Sequence, residues 1–314
     1  MTRLIIRRIA IAIPLLFVVS ALTFFLEWLA PGNAAETILG SNGTPAQYAE
    51  LTKQLGLNHP IWQQYWDWLS GVLHGNLGTS LFSGESVASA INSRLPVTLW
   101  LIAGGVVLAA VSGMSVGITV AVYGGKLGQS LNVTSLFLFS IPSFWLGLLL
   151  VELFAVQYRI FPATGYVGLT SSVSEWFRSL VLPVIALGIG GMAVVALVTR
   201  DAMLDVLQRD FIRNLRANGV SSWSIIFKHG LKNAAIPVVT ILGLLSVGLL
   251  SGTVAIENVF ALPGLGSLAV SATTDHDTPV VQGITIYFAL IVIAINLLLD
   301  IVYGWLNPRA RASS

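Results

Sequence analysis

Six stretches of the chain, approximately Ile9 to Leu29, Val97 to Val122, Leu131 to Ala155, Leu180 to Thr199, Ala235 to Ile256 and Val280 to Tyr303, are apolar and nearly free of charge. Crossing a hydrocarbon core of about 30 Å takes roughly 20 helical residues, because only a helix satisfies its own backbone groups there. The pattern therefore predicts an all-α membrane protein with six transmembrane helices. Pro142 inside the third stretch predicts a kink, and Pro183 lies near the start of the fourth. The first stretch follows Arg3, Arg7 and Arg8, as a signal peptide would, but it exceeds the roughly 7 to 15 residues of a signal core. It is read as a retained helix.

Two connections carry patterns of their own. Between Ala30 and Pro96, Trp62, Tyr65, Trp66, Leu69, Val72 and Leu73 recur at helical spacing. They predict an amphipathic helix with rings suited to the headgroup region, either interfacial or packed as a lid on the bundle, with direct substrate contact as the alternative. After the fifth stretch, Leu262-Pro263-Gly264-Leu265-Gly266 reads as a turn with a short apolar segment dipping back onto the outer mouth. The connection from Arg200 to Ala234 is long, basic and patterned. Asp210 is placed to cap a short helix, DFIRNLRA, with Phe211 and Leu215 on one face and Arg209, Arg213 and Arg216 nearby. Gly219 permits a sharp reversal, and a second helix is expected from Ser221 or Ser222, with Trp223, Phe227 and Leu231 four residues apart. A solvated basic loop would explain the charges, whereas exposed Phe211 and Trp223 favour a protein contact.

Composition sharpens this picture. Of 314 residues, 55% are hydrophobic and 10% charged, with a mean hydropathy of +0.83. A typical soluble domain carries charge on roughly a quarter of its residues, so an ordinary soluble protein is excluded. The net charge of +2 gives no single-sign surface for nucleic acid. Lys and Arg resist translocation. An internal N-terminus places Arg3, Arg7, Arg8, Lys126, Arg200, Arg209, Arg213, Arg216, Lys228, Lys232, Arg309 and Arg311 inside, twelve of the sixteen basic residues. Lys53, Arg94, Arg159 and Arg178 are then outside, among Glu36, Glu50, Asp67, Glu85, Glu175, Asp275 and Asp277. Both termini are expected in the cytoplasm.

Glycines punctuate the second, fourth and fifth spans, and two G-x-x-x-G pairs, Gly113 with Gly117 and Gly248 with Gly252, suit close helix packing, whether static or sliding. Candidate catalytic chemistry is sparse. Glu27, Glu152 and Glu257 fall near outer ends of spans and Asp300 near an inner end, where snorkelling to water is expected. No proton relay is visible, which argues against an ion-coupled carrier. His59, His74, His229 and His276 lack paired metal-ligand spacing, and there is no cysteine, H-E-x-x-H or G-x-S-x-G. A phosphate-cradling G-x-x-x-x-G-K loop is likewise missing, so any ATP that drives this protein is hydrolysed by another subunit.

The run from Asp210 to Thr240, DFIRNLRANGVSSWSIIFKHGLKNAAIPVVT, resembles the EAA-type loop of permease subunits of dipeptide/oligopeptide-type ABC importers. The resemblance covers nearly the whole chain: Arg7-Arg8, Pro14 and Pro31-Gly32; Leu55-Gly56-Leu57, Gln64-Tyr65, Gly75 to Ser80 and Arg94 to Thr98; Ser140 to Phe144, Phe161 to Gly165, Glu257 to Phe260, Pro263 to Gly266 and Asn307-Pro308-Arg309, all in family order. Leu215 and Asn218, where a small residue and a Lys are expected, and Asn33, where Asp is usual, depart from the pattern.

The resemblance implies a type I ABC importer permease fold. Its parts are a first helix and extracytoplasmic segment over residues 1–93, a permease core over 94–303 and a cytoplasmic tail over 304–314. It implies a bacterial inner-membrane importer subunit, not itself an enzyme, that forms half of a path for di- or oligopeptides or similar solutes. Implied partners are a second homologous permease, two ATP-binding subunits that hold ATP and Mg²⁺, an external substrate-binding protein and membrane lipid. No cofactor is expected in this chain. The coupling site implied is Asp210, Phe211, Arg213, Leu215, Arg216, Ala217, Gly219 and Val220, with Gly219 at the turn, Phe211, Leu215 and Val220 as the apolar seat, and Arg213 and Arg216 as polar anchors. The alternative is an ion-coupled carrier or channel.

Overall fold

The computed structural model describes residues 2–306, without the side chains of residues 2–5, 9 and 41. The side chain of Arg3, together with Asn307, Pro308, Arg309, Arg311 and the tail beyond 306, thus lies outside the described residues. In chain order the α-helices are α1 (Thr2–Leu29), α2 (Ala34–Leu39), α3 (Pro45–Gln54), α4 (Ile61–Leu73), α5 (Val87–Tyr123), α6 (Gly125–Phe139), α7 (Ser143–Leu150), α8 (Val173–Leu207), α9 (Asp210–Ala217), α10 (Leu231–Val259), α11 (Leu265–Thr274) and α12 (Thr278–Leu306). π-helical turns extend α7 through Val151–Gln157 and lead into α10 through Ser224–Gly230. The described residues contain no strand, only an isolated bridge between Thr79 and Ser86.

Five helices are long and apolar enough to cross a membrane uninterrupted, and α6 with α7, bent by 95° at the break, passes the same test as a pair and counts as a sixth when taken as one broken span. The sequence predicted a kink at Pro142; the structure breaks the helix there. Proline has no N–H to donate and drives the preceding residue out of the helical region, so α6 stops at Phe139 and α7 restarts at Ser143. Both halves pack on α8. Asn132 of α6 accepts a hydrogen bond from Arg200 near the C-terminal end of α8, at 3.2 Å. Gly147 of α7 lies against Phe260 and Ile256 at the far end of α10. The broken pair therefore runs the length of its neighbours.

Contacts divide the chain into two units, one comprising Thr98–Leu262 with the chain from Ile295 onward, the other Thr2–Val97 with Pro263–Ala294. In the first, α8 is the hub, packed against α6, α7 and α10, with half of its apolar stretch buried. Small residues on α5 let it, too, approach α8 closely. A methyl group at Gly113 would stand 2.7 Å from the Met192 carbonyl oxygen, and one at Gly117 would stand 2.5 Å from that of Ala196. The Gly248 position, by contrast, meets nothing within 4 Å, and Gly252 only Leu187 at 3.4 Å. One G-x-x-x-G pair is thus a packing contact within this chain, while the other leaves Gly248 open among the described residues. Glu257 corrects an expectation: instead of snorkelling it is fully buried and accepts a 2.7 Å hydrogen bond from the Thr98 hydroxyl.

In the second unit Val87, Ala90, Ile91, Leu265, Leu268, Ala272, Val280 and Ile284 form the core. This explains why α5 begins ten residues before the expected Val97 and runs through Pro96. The lost hydrogen bond and clash cost about 3 kcal/mol, which burial of Val87 and Ile91, worth roughly 1.5–3 kcal/mol each, offsets. Asp277, expected in a solvated loop, is buried and accepts from the Ser80 hydroxyl at 2.5 Å and the Leu81 N–H at 3.2 Å, pinning the Gly75 to Ser80 segment. The carboxylate oxygens of Glu27 are also shielded from solvent rather than snorkelling. Buried Gln282 bridges α1, donating to the Ser20 carbonyl (3.2 Å) and accepting from the Phe24 N–H (2.9 Å), in the amide orientation that satisfies both.

Replacement of Gly117 by Val should abolish the close approach of α5 and α8, lowering the yield of monodisperse protein severalfold in size-exclusion chromatography. Gly248→Val should leave the fold of the isolated chain intact. Equal behaviour of the two variants would contradict the packing described.

Candidate functional site in the elbow between α8 and α10

The connection after α8 is an ordered elbow. The α8 helix ends at Leu207, and Arg209 donates to Asp205 at 2.7 Å across one turn, an exposed pair of little energetic weight. Asp210 does not cap α9 as the sequence reading expected. The N-cap is Arg209, and Asp210 is the first helical residue, with its carboxylate 3.5 Å from Arg213. An acidic group there favours the positive end of the helix without accepting a capping bond.

One residue of α9 is removed from water: Ile212, at 0% exposure. It was missed by the sequence reading, which paired Phe211 with Leu215. The α9 helix packs against the π-helical turn Ser224–Gly230, where Ile225 is also buried. Leu215 and Val220 are half-buried, and Phe211 is 37% exposed. Asp210, Arg213, Asn214 and Ala217 are exposed. At 3.6 residues per turn Asp210, Asn214 and Ala217 lie opposite Ile212 and Arg213 lies at their flank, and together they form the outward face. Arg216 lines a cavity of about 350 Å³ together with Gln208, Ser222 and Ile225.

After Asn218 the chain turns through Gly219, whose φ of +74° lies in the left-handed region. The Gly219 N–H donates to the Arg216 carbonyl (3.0 Å) and the Val220 N–H to that of Leu215 (3.1 Å), the paired bonds of a Schellman ending. A side chain at Gly219 would meet nothing within 4 Å, so the glycine is required by backbone conformation and not by space. The expected second helix exists, but it is continuous with α10: residues Ser224–Val259 form one candidate span. Of the Trp223, Phe227 and Leu231 stripe, Leu231 packs against the buried cluster of Met203, Val206 and Ala234. Trp223 and Phe227 lie 4.0 Å apart between ring centroids, tilted by 37°, and stay outside, Trp223 at 72% exposure.

Residues 113–312 match the family model described as binding-protein-dependent transport system inner membrane component, and residues 1–102 match the model of the N-terminal part of such membrane components. The chain belongs to this family. Among curated relatives of this transport component, a peptide transport system permease protein of Brucella abortus (strain 2308) is 40% identical over 316 residues, covering 99% of both chains. The glutathione transport system permease protein of Escherichia coli (strain K12) is 39% identical over 313 residues, again covering 99% of both. A peptide ABC transporter permease protein of Sinorhizobium fredii is 36% identical over 308 residues and 98% of both. Among solved structures, a chain of the MetNI methionine ABC transporter in an inward-facing conformation aligns with a TM-score of 0.51 at 19% identity, over 67% of this chain and 93% of that one. The transport component thus has the type I ABC permease fold and is a multi-pass membrane permease.

Truncating Ile212 to Ala should loosen α9 from the π-helical turn, since emptying such a buried site costs about 2–5 kcal/mol. Amide exchange over residues 209–222 should quicken while exchange in α8 and α10 stays unchanged; unaltered protection of α9 would show that Ile212 is not its anchor.

Proposed function

We propose that this permease forms half of the translocation path of an ATP-driven bacterial importer of peptides or related small solutes. The observation that carries this reading is the elbow: α9 is tied to the bundle by Ile212 and ends at a left-handed glycine, and the next turn is part of α10 itself. A push on the outward face of α9 is therefore delivered to a helix that crosses the membrane. In this reading Asp210, Phe211, Arg213 and Ala217 meet an ATP-binding subunit. Leu215, Arg216 and Val220 hold the elbow against its own chain, and Gly219 sets its angle.

Energetics require such a partner. Moving a two-state bundle from 1:99 to 99:1 takes about 5.5 kcal/mol of differential binding. The exposed ion pairs of the elbow supply far less, at about 0–1 kcal/mol each. Two ATP-binding subunits, which hold ATP and Mg²⁺, close and drive the change; this chain hydrolyses nothing. A second homologous permease completes the path, and an external binding protein delivers the cargo. Names of the relatives in Brucella and Escherichia coli favour peptides, including glutathione-like tripeptides, as that cargo. In this reading both termini and the elbow lie in the cytoplasm, which the excess of Lys and Arg in those segments supports.

In the assembled transporter, Gly219→Val should leave membrane insertion intact but uncouple hydrolysis from uptake, because a β-branched residue in the left-handed region costs roughly 1–2 kcal/mol or more. Gly219→Asn, which tolerates that region, should retain most uptake. Unchanged uptake in the Val variant, or uptake driven by an ion gradient with no ATP-binding subunit present, would overturn the assignment.

A further inference from the structure

The α4 helix has two apolar edges, and among the described residues only one is packed. On the edge facing α1, Tyr65 packs against Phe17 and Phe24 at 6.1 and 5.4 Å between ring centroids, and its hydroxyl lies 2.9 Å from that of Ser20. On the neighbouring edge Trp62, Trp66 and Leu73 are 73%, 62% and 74% exposed.

The contact with α1 fixes how deep α4 lies. Ser20 is nine residues before the end of α1 at Leu29, about 13 Å at 1.5 Å per residue. That is close to half of a hydrocarbon core of about 30 Å. Gln64, the residue before Tyr65, instead lines a cavity of about 220 Å³ with Glu27, two turns nearer the helix end. Asp67 lines another cavity with Thr278 and Pro279, which begin α12. Going round α4 from Gln64 through Tyr65, the next positions are Leu69, Trp62, Leu73 and Trp66, followed by Ser70, Gln63, His74 and Asp67. The polarity of α4 thus runs along the axis of α1: the polar edge faces the end of the span, and the tryptophan edge faces its middle.

We propose that α4 is a lipid anchor embedded in the leaflet at the Leu29 end of α1, with Trp62, Trp66 and Leu73 among phospholipid acyl chains. The surface continues the exposed apolar face of α1, where Phe17, Val18 and Leu22 are about half exposed. Indole rings and leucine are apolar enough to lie among acyl chains, while the opposite, polar edge of the helix faces the headgroups. A soluble partner approaching from water meets the Gln63, Asp67 and His74 edge, not the tryptophans. The proposal rests on α1 crossing the membrane and is independent of the coupling role of α9.

The chain has no cysteine, so single cysteines for nitroxide labelling can be placed without a removal step. Trp62→Cys, Trp66→Cys, Leu73→Cys, Gln63→Cys, Asp67→Cys and His74→Cys are compared in the assembled transporter, reconstituted in phosphatidylethanolamine and phosphatidylglycerol vesicles. The ratio of collision with oxygen to collision with a water-soluble nickel chelate should be severalfold higher at 62, 66 and 73 than at 63, 67 and 74. Quenching of tryptophan fluorescence by lipids brominated in the acyl chain should fall in a Trp62→Ser, Trp66→Ser double variant. Nickel access at 62 and 66 equal to that at 63 and 67, or loss of access there only when binding protein is added, would overturn the proposal.

Discussion

Complete burial of Ile212 links a short helix outside the bundle to the helices inside it. Without that side chain, α9 would be eight residues on a polar connection, too short to hold a helix in water by itself. With it, α9 rests on the Ser224–Gly230 turn, which continues into α10. The methyl end of Met203 would stand 3.0 Å from any side chain at Gly230, so the base of α10 is in turn pressed against α8. Ile212 and Gly230 thus fasten the two sides of the elbow, before and after its turn, against this chain. The left-handed conformation at Gly219 sets the one sharp change of direction.

The same economy of small and buried groups recurs within each unit. In the first, Gly113 and Gly117 let α5 and α8 approach to backbone contact, while buried Glu257 holds the hydroxyl of Thr98. In the second, Gln282 joins α12 to α1 through two backbone groups, and Asp277 fastens the segment after α4. Polar groups inside apolar surroundings are costly unless bonded, so these contacts specify which helices meet, whereas apolar burial alone does not.

Much of this was legible from the chain, and the failures have physical causes. Hydropathy located the five uninterrupted spans and the broken α6–α7 pair, because a hydrocarbon core demands length and apolarity and little else. Gly219 was legible because left-handed positions are nearly closed to other residues. The anchor was not: in DFIRNLRA, Phe211 and Ile212 are adjacent apolar residues about 100° apart on the helix, and an eight-residue helix is too short for periodicity to choose between them. Glu257 and Asp277 were read as solvated because a carboxylate near the end of a span reaches water in most settings; Thr98 and Ser80, which bind them, lie more than a hundred residues away. The α3 helix was overlooked although Thr44-Pro45-Ala46-Gln47 is a capping-box signature, with both reciprocal bonds present.

The decisive measurement is a thiol cross-link from the outward face of α9. A single cysteine at Ala217, in a chain that has none, should join to a cysteine on a copurifying ATP-binding subunit, with a yield that changes when nucleotide is bound. It should also react with membrane-impermeant thiol reagents only after the cytoplasmic side is exposed. Labelling of intact cells from outside, or a fully assembled transporter in which position 217 touches no ATP-binding subunit in any nucleotide state, would contradict the account.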